Sequence, residues 1–117
     1  MIPEKAIETV LAQIDPQTVI DLTARLVQCN SVWDPQAGTN ETEAAGVAAA
    51  FAREQGFDVN VETVVPGRPN VIVRWTAGPG KRTLMFEGHT DVVTPGDRSR
   101  WQYDPFGAHI ENGRMIG

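Results

Sequence analysis

Apolar residues recur at Val19, Ile20, Leu22, Leu26 and Val27, a spacing that gathers them on one side of a helix and predicts one over residues 16–28. Asp15-Pro16 supplies its start: an aspartate accepts from first-turn N–H groups, and a proline there gives up an N–H that would have no helical partner. A shorter helix is expected over residues 3–14, and both stripes read as core. Asn40 followed three residues on by Glu43 has the form of a capping box, opening an alanine-rich helix that runs to residue 55 with Gly56 as its stop. Ala44, Ala45, Ala48, Ala49 and Ala52 permit close packing and Phe51 is the one large anchor, which places this helix against a sheet.

The period then changes from helical to alternating. Phe57, Val59, Val61 and Thr63 alternate with polar neighbours as a half-covered strand does, Pro66-Gly67 breaks the run, and a second strand follows over residues 70–75. Gly78-Pro79-Gly80 turns the chain into a third strand over residues 83–87, more continuously apolar and so expected in the middle of the sheet. Residues 94–107 are rich in Pro, Gly and Asp with Trp101, Tyr103 and Phe106 interspersed, which predicts an ordered loop pinned by aromatic side chains. Asn112-Gly113 between residues 108–111 and 114–116 spells a β-hairpin with a short second arm. A hairpin arm that stops so soon points to a C-terminal continuation, so the 117 residues read as part of a domain.

A hydrophobic content of 41% is enough for a modest core, and the net charge of −5 disfavours nucleic acid and anionic lipid as partners. Residues 1–9 hold no basic segment leading into an apolar stretch, and no run approaches the ~18 apolar residues of a membrane span, so a soluble, cytoplasmic protein is expected. The single Cys29 can form neither an internal disulfide nor a thiolate zinc site, and reads as a small half-buried residue at a helix end.

The residues that could carry chemistry are His89 and Asp91. In extended backbone, positions two apart point the same way, so the carboxylate can reach the imidazole. Such a partner takes the proton of one ring nitrogen, fixes the tautomer and leaves the other nitrogen free to bind a metal or accept a proton. Gly88 is expected to let the backbone turn or come close where the strand ends. A histidine and an aspartate at this spacing also occur as a purely structural pair. His109, alternating with Ile110 in the first hairpin arm, reads as exposed and without a metal role; Trp101, Tyr103 and Phe106 read as loop packing, and Asp97 and Arg98 as solvated turn residues. Glu87 shares strand parity with His89 only if Gly88 leaves the register unbroken, and it is given no role.

The wider run is more specific than the pair. Gly88-His89-Thr90-Asp91-Val92-Val93, then Pro95-Gly96-Asp97, Trp101, Asp104-Pro105-Phe106 and Asn112-Gly113-Arg114-Met115-Ile116-Gly117 resemble the signature of the metal-dependent aminoacylase and carboxypeptidase family, which includes acetylornithine deacetylase and succinyl-diaminopimelate desuccinylase. The approach to it, with a Ser31-containing loop, the Glu43 helix and Arg68-Pro69-Asn70-Val71 entering a strand, is compatible. The resemblance implies an incomplete three-layer, zinc-peptidase-like α/β domain, helices packed on a mixed β-sheet, with residues 1–117 as its N-terminal part and the lid and dimerisation domain lying elsewhere.

By the same resemblance His89 is a ligand of one of two zinc ions, with cobalt or manganese as alternatives, and Asp91 is the carboxylate that orients it. Asp104-Pro105 holds a loop beside the metal cleft. The aspartate that bridges the metals, a glutamate pair and the remaining ligands are expected beyond Gly117. The implied activity is hydrolysis of an N-acyl-amino-acid or peptide amide bond by a complete, homodimeric enzyme, with this chain inactive by itself. The alternative is a non-catalytic, truncated or split α/β module with a binding or assembly role.

Overall fold

A computed structural model describes residues 2–80 and 82–117. Helix α1 spans Glu4–Leu11 and α2 spans Pro16–Val27, capped as expected: the Asp15 carboxylate accepts from the N–H groups of Gln17 and Thr18, both at 3.1 Å. Bonds from the Thr18 hydroxyl and these two N–H groups favour the ionised carboxylate and hold its pKa below the usual aspartate value. Neither helix has a buried residue, and Val19 and Ile20 are exposed. Leu22, Leu26 and Val27 are half-buried, so the stripe of α2 is helical in spacing but only partly covered, and Ile7, Val10 and Leu11 of α1 are exposed, both contrary to their reading as core.

Helix α3 spans Thr42–Glu54, and here the alanine pattern works as expected. Ala44, Ala45, Ala49 and Ala52 are buried, bringing the helix backbone against strands β1 (Asp58–Val65) and β2 (Arg68–Arg74), while Phe51 is half-buried. The start differs in detail from a capping box. Asn40 Oδ1 accepts from Thr42 N–H at 3.0 Å, whereas the Glu41 N–H donates to the carbonyl of Gly67 in the β1–β2 turn, also at 3.0 Å. Gly67 is required there: its φ is +80°, and a β-carbon would sit 3.0 Å from Asn40 Cβ and 3.2 Å from the Trp33 ring. This turn thus docks the first residues of α3 onto the hairpin.

β1 and β2 pair antiparallel, with an irregularity between Thr63 and Val65. A second antiparallel hairpin joins β3 (His109–Glu111) to β4 (Arg114–Ile116) through Asn112 (φ 51°) and Gly113 (φ 73°), the positive pair that an Asn-Gly turn supplies. A lone parallel bridge, Val32 to Val92, ties the loop after α2 to the chain beyond His89. Trp101 Nε1 donates to the Pro95 carbonyl at 2.9 Å, and Tyr103 stacks on His109 with ring centroids 3.6 Å apart. The aromatic loop is pinned as its composition predicts. The same stack leaves His109 half-buried, which corrects its expected exposure.

The expected mixed sheet is not present among the described residues: both sheets have two strands and are antiparallel. Residues 83–87 form no strand, and Leu84, Met85 and Phe86 are 77, 77 and 87% exposed. Their β-prone sequence is not sufficient, because a strand needs a neighbour to take its N–H and C=O groups. The radius of gyration, 17.4 Å, exceeds the roughly 13 Å of a compact domain of this length. The architecture is an α/β mix whose apolar surface is only partly enclosed.

Since Leu84 and Phe86 contribute little to this core, Leu84→Lys/Phe86→Lys is expected to increase the monomeric fraction seen by size exclusion with light scattering, at an unchanged melting temperature. A fall of about 4 °C or more, near 1 kcal/mol for a domain of this size, would show that these side chains are packed.

Cys29 is buried at the end of α2, with Sγ 3.2 Å from the Arg25 carbonyl. Burial, then the negative charge of Glu43, raises its thiol pKa, as suits a packed and unreactive sulfur. No helix of the described residues is long and apolar enough to cross a membrane.

Candidate functional site

Beyond residues 83–87 the chain enters the segment that carries His89. The imidazole Nδ1 lies 3.0 Å from Asp91 Oδ1 and 2.9 Å from the Asp91 carbonyl oxygen. A carbonyl can only accept, so Nδ1 is the donor, and in the neutral ring Nε2 is the nitrogen with a lone pair. No hydrogen bond among the described residues engages Nε2, and the His89 side chain is 82% exposed. The expectation that the carboxylate reaches the imidazole is met in this geometry. Gly88 differs from expectation: its φ is not positive and, among the described residues, nothing lies within 4 Å of where a β-carbon would be, so they impose no need for glycine there.

Asp91 is held from its other side. Arg68, at the start of β2, donates from Nη2 to Asp91 Oδ2 at 3.2 Å and from Nε to Glu41 Oε1 at 2.7 Å. Its guanidinium carbon lies 5.2 Å from the centre of the Trp33 ring, near enough for a cation–π contact. Glu41 is 3% exposed, and its second oxygen, Oε2, is buried with no partner among the described residues. A chain of contacts therefore runs from a buried carboxylate through a stacked guanidinium to the exposed histidine. Glu41 and Arg68 had no assigned role in the sequence. Arg68 stands 27 residues from Glu41 and 23 from Asp91, which leaves no local spacing to read.

Glu41, Arg68, His89 and Asp91 line an open cleft of about 570 Å³ together with Ala48 of α3, Val71 and Val73 of β2, and Gly88 and Thr90. Glu87 does not line it. Neither does the loop of Asp104-Pro105, which was expected beside the cleft. Asp104 instead accepts from Arg98 at 2.7 Å and from the Phe106 N–H at 3.0 Å, so it braces its own loop. Asp97 caps the 3-10 turn Arg98–Arg100, with its pKa lowered by bonds from the Ser99 hydroxyl and N–H.

As to a metal, the donor set fits a single contribution. His89 offers one imidazole nitrogen, Nε2, while Nδ1 is engaged by a carboxylate, the usual arrangement behind a metal-bound histidine. Among the described residues no group of three or more His, Cys, Asp and Glu side chains is close enough to hold an ion. A catalytic zinc normally has three protein ligands, so other donors would have to join His89.

No family model matches the chain, and no solved structure matches it. Curated proteins do. The chain is 38% identical over 104 residues to the succinyl-diaminopimelate desuccinylase of Methylocella silvestris, an alignment covering 86% of this chain and 25% of that protein. It is 38% identical over 102 residues to the enzyme of the same name from Cereibacter sphaeroides (87% and 25%), and 41% identical over 96 residues to that of Paracoccus denitrificans (82% and 23%). The chain thus spans about a quarter of the length of the curated relatives it matches. With identity of 38 to 41% sustained over more than four-fifths of its residues, the chain corresponds to a portion of the succinyl-diaminopimelate desuccinylase family.

Proposed function

We propose that this chain is the N-terminal part of a metal-dependent hydrolase that cleaves the amide bond of an N-acyl amino-acid derivative, with an N-succinyl group as the acyl substrate that the relatives' names favour. The observation that carries the reading is His89, which lines the cleft with Nδ1 committed to Asp91 and no hydrogen bond to Nε2 among the described residues. In this reading His89 is a metal ligand and Asp91 orients it. When bound, a pair of zinc ions would supply a water of lowered pKa and a Lewis acid for the amide carbonyl. What this chain does is narrower: it presents one nitrogen, keeps its tautomer fixed and supplies one wall of the cleft. The second metal, the base that moves the proton to the departing amine and most contacts to the acyl group belong to polypeptide outside these residues.

The exposed run at Leu84, Met85 and Phe86 supports the same reading, since further strands beside it would complete a three-layer domain over a central sheet. The complete enzyme in this proposal is a cytoplasmic homodimer.

The test compares this chain with a version extended to the relatives' full length, each assayed for release of succinate from an N-succinyl amino acid in added zinc, cobalt or manganese. Hydrolysis by the extended protein alone is expected. If the extended protein folds and binds metal without hydrolysing any N-acyl amino acid, the enzymatic reading is lost, and a binding or assembly role takes its place.

A further inference from the structure

We propose that Arg68 and Glu41 are positioning residues for His89: the buried Glu41 clamps the Arg68 guanidinium, which holds the Asp91 segment so that His89 keeps its proton on Nδ1 and offers Nε2. Several observations converge on this. Asp91 lies in irregular chain, with no ladder to fix it beyond the single bridge at Val92. Arg68 contacts both carboxylates at once, Glu41 through Nε and Asp91 through Nη2, a geometry suited to the planar fork of donors on a guanidinium. Trp33 restricts the guanidinium from a further direction. Glu41 itself cannot wander, because its N–H is bonded to the Gly67 carbonyl and its carbonyl accepts from Ala45 N–H. A rigid, helix-anchored anion thus fixes a cation, and the cation fixes the exposed carboxylate that the imidazole follows.

The inference concerns the orientation of His89 alone. It does not depend on the metal role proposed above, and an absence of metal binding or hydrolysis would leave it standing. The readout is the tautomer, measured by long-range ring ¹⁵N–¹H correlations on the labelled chain at about pH 9, where an ordinary imidazole is neutral. The two histidines are assigned with His109→Gln. The wild-type His89 is expected to favour the Nδ1–H form by about tenfold, the equilibrium weight of one charge-assisted hydrogen bond.

Arg68→Ala strands a buried carboxylate and can fail to fold, so the main variant is the pair Glu41→Met/Arg68→Met, which removes both charges and keeps bulk. Arg68→Lys is the second, because one ammonium can satisfy Glu41 without also reaching Asp91. Both are expected to retain dispersed amide spectra and to weaken the tautomer preference, as Asp91→Asn is also expected to do. A folded Glu41→Met/Arg68→Met or Arg68→Lys chain with the wild-type tautomer ratio would overturn the inference. So would a wild-type His89 that shows no preference for Nδ1–H.

Discussion

Replacing His89 by alanine in the polypeptide extended to the relatives' length is expected to lower kcat/KM for an N-succinyl amino acid by about 10³-fold, the rate equivalent of losing several kcal/mol of transition-state stabilisation by a metal. The argument rests on where the side chain stands. At 82% exposure it takes little part in packing, and among the described residues its one intramolecular commitment is to Asp91, so the substitution removes a donor without opening a cavity. Stability should change by no more than about 0.5 kcal/mol, as for other surface substitutions. Asp91→Asn is expected to be milder, weakening metal binding by roughly 10- to 100-fold, because it disturbs the orientation of the ligand and leaves the ligand in place. Steady-state kinetics with calorimetric zinc titration of the three proteins checks both. Unchanged kcat/KM and unchanged metal affinity in a folded His89→Ala enzyme would remove His89 from the site.

How much of this could be read from the chain depended on how local each feature is. The Asp15 cap, the helical run of α3, the break at Pro66-Gly67 between two extended segments and the Asn112-Gly113 turn rest on neighbours within a few residues, and all are formed. The His89–Asp91 contact is of the same kind, since it spans two residues. Residues 83–87 failed as a strand for the opposite reason. Apolar, β-prone sequence sets a preference, while a ladder requires a neighbour at hydrogen-bonding distance, and none of the described residues provides one. The stripe of α2 fails similarly: its period makes a helix, but what covers its apolar side is a matter of tertiary packing. Glu41 was the hardest to see. Between Asn40 and Glu43 it looks like one more polar residue at a helix start, and its burial follows from the Gly67 turn that closes over it. Arg68 stood inside the Arg68-Pro69-Asn70-Val71 run that marks the family resemblance, yet its partners lie 23 and 27 residues away in sequence.

Arg68→Ala is expected to destabilise this chain by about 3 kcal/mol, the low end of the range for removing one partner of a buried ion pair. The low end applies because Arg68 is 42% exposed, so water already screens part of the interaction, whereas the Glu41 side chain is only 4% exposed and cannot find water in its place. One carboxylate oxygen, Oε2, already lacks a partner among the described residues, so the loss of Nε leaves Glu41 with no donor observed there. Such a loss is large against the stability of a small domain. It should fall on α3 and the β1–β2 hairpin together, because Glu41 and Arg68 join them. Glu41→Met/Arg68→Met should recover most of the loss and stand within about 1 kcal/mol of wild type, since replacing a buried pair by apolar residues of similar bulk is often neutral. Urea denaturation followed by far-UV circular dichroism, carried through the two single variants and the double, gives the coupling energy directly. Additive single losses in that cycle would mean that Arg68 and Glu41 act on stability independently, and that the contact joining helix to hairpin contributes nothing of its own.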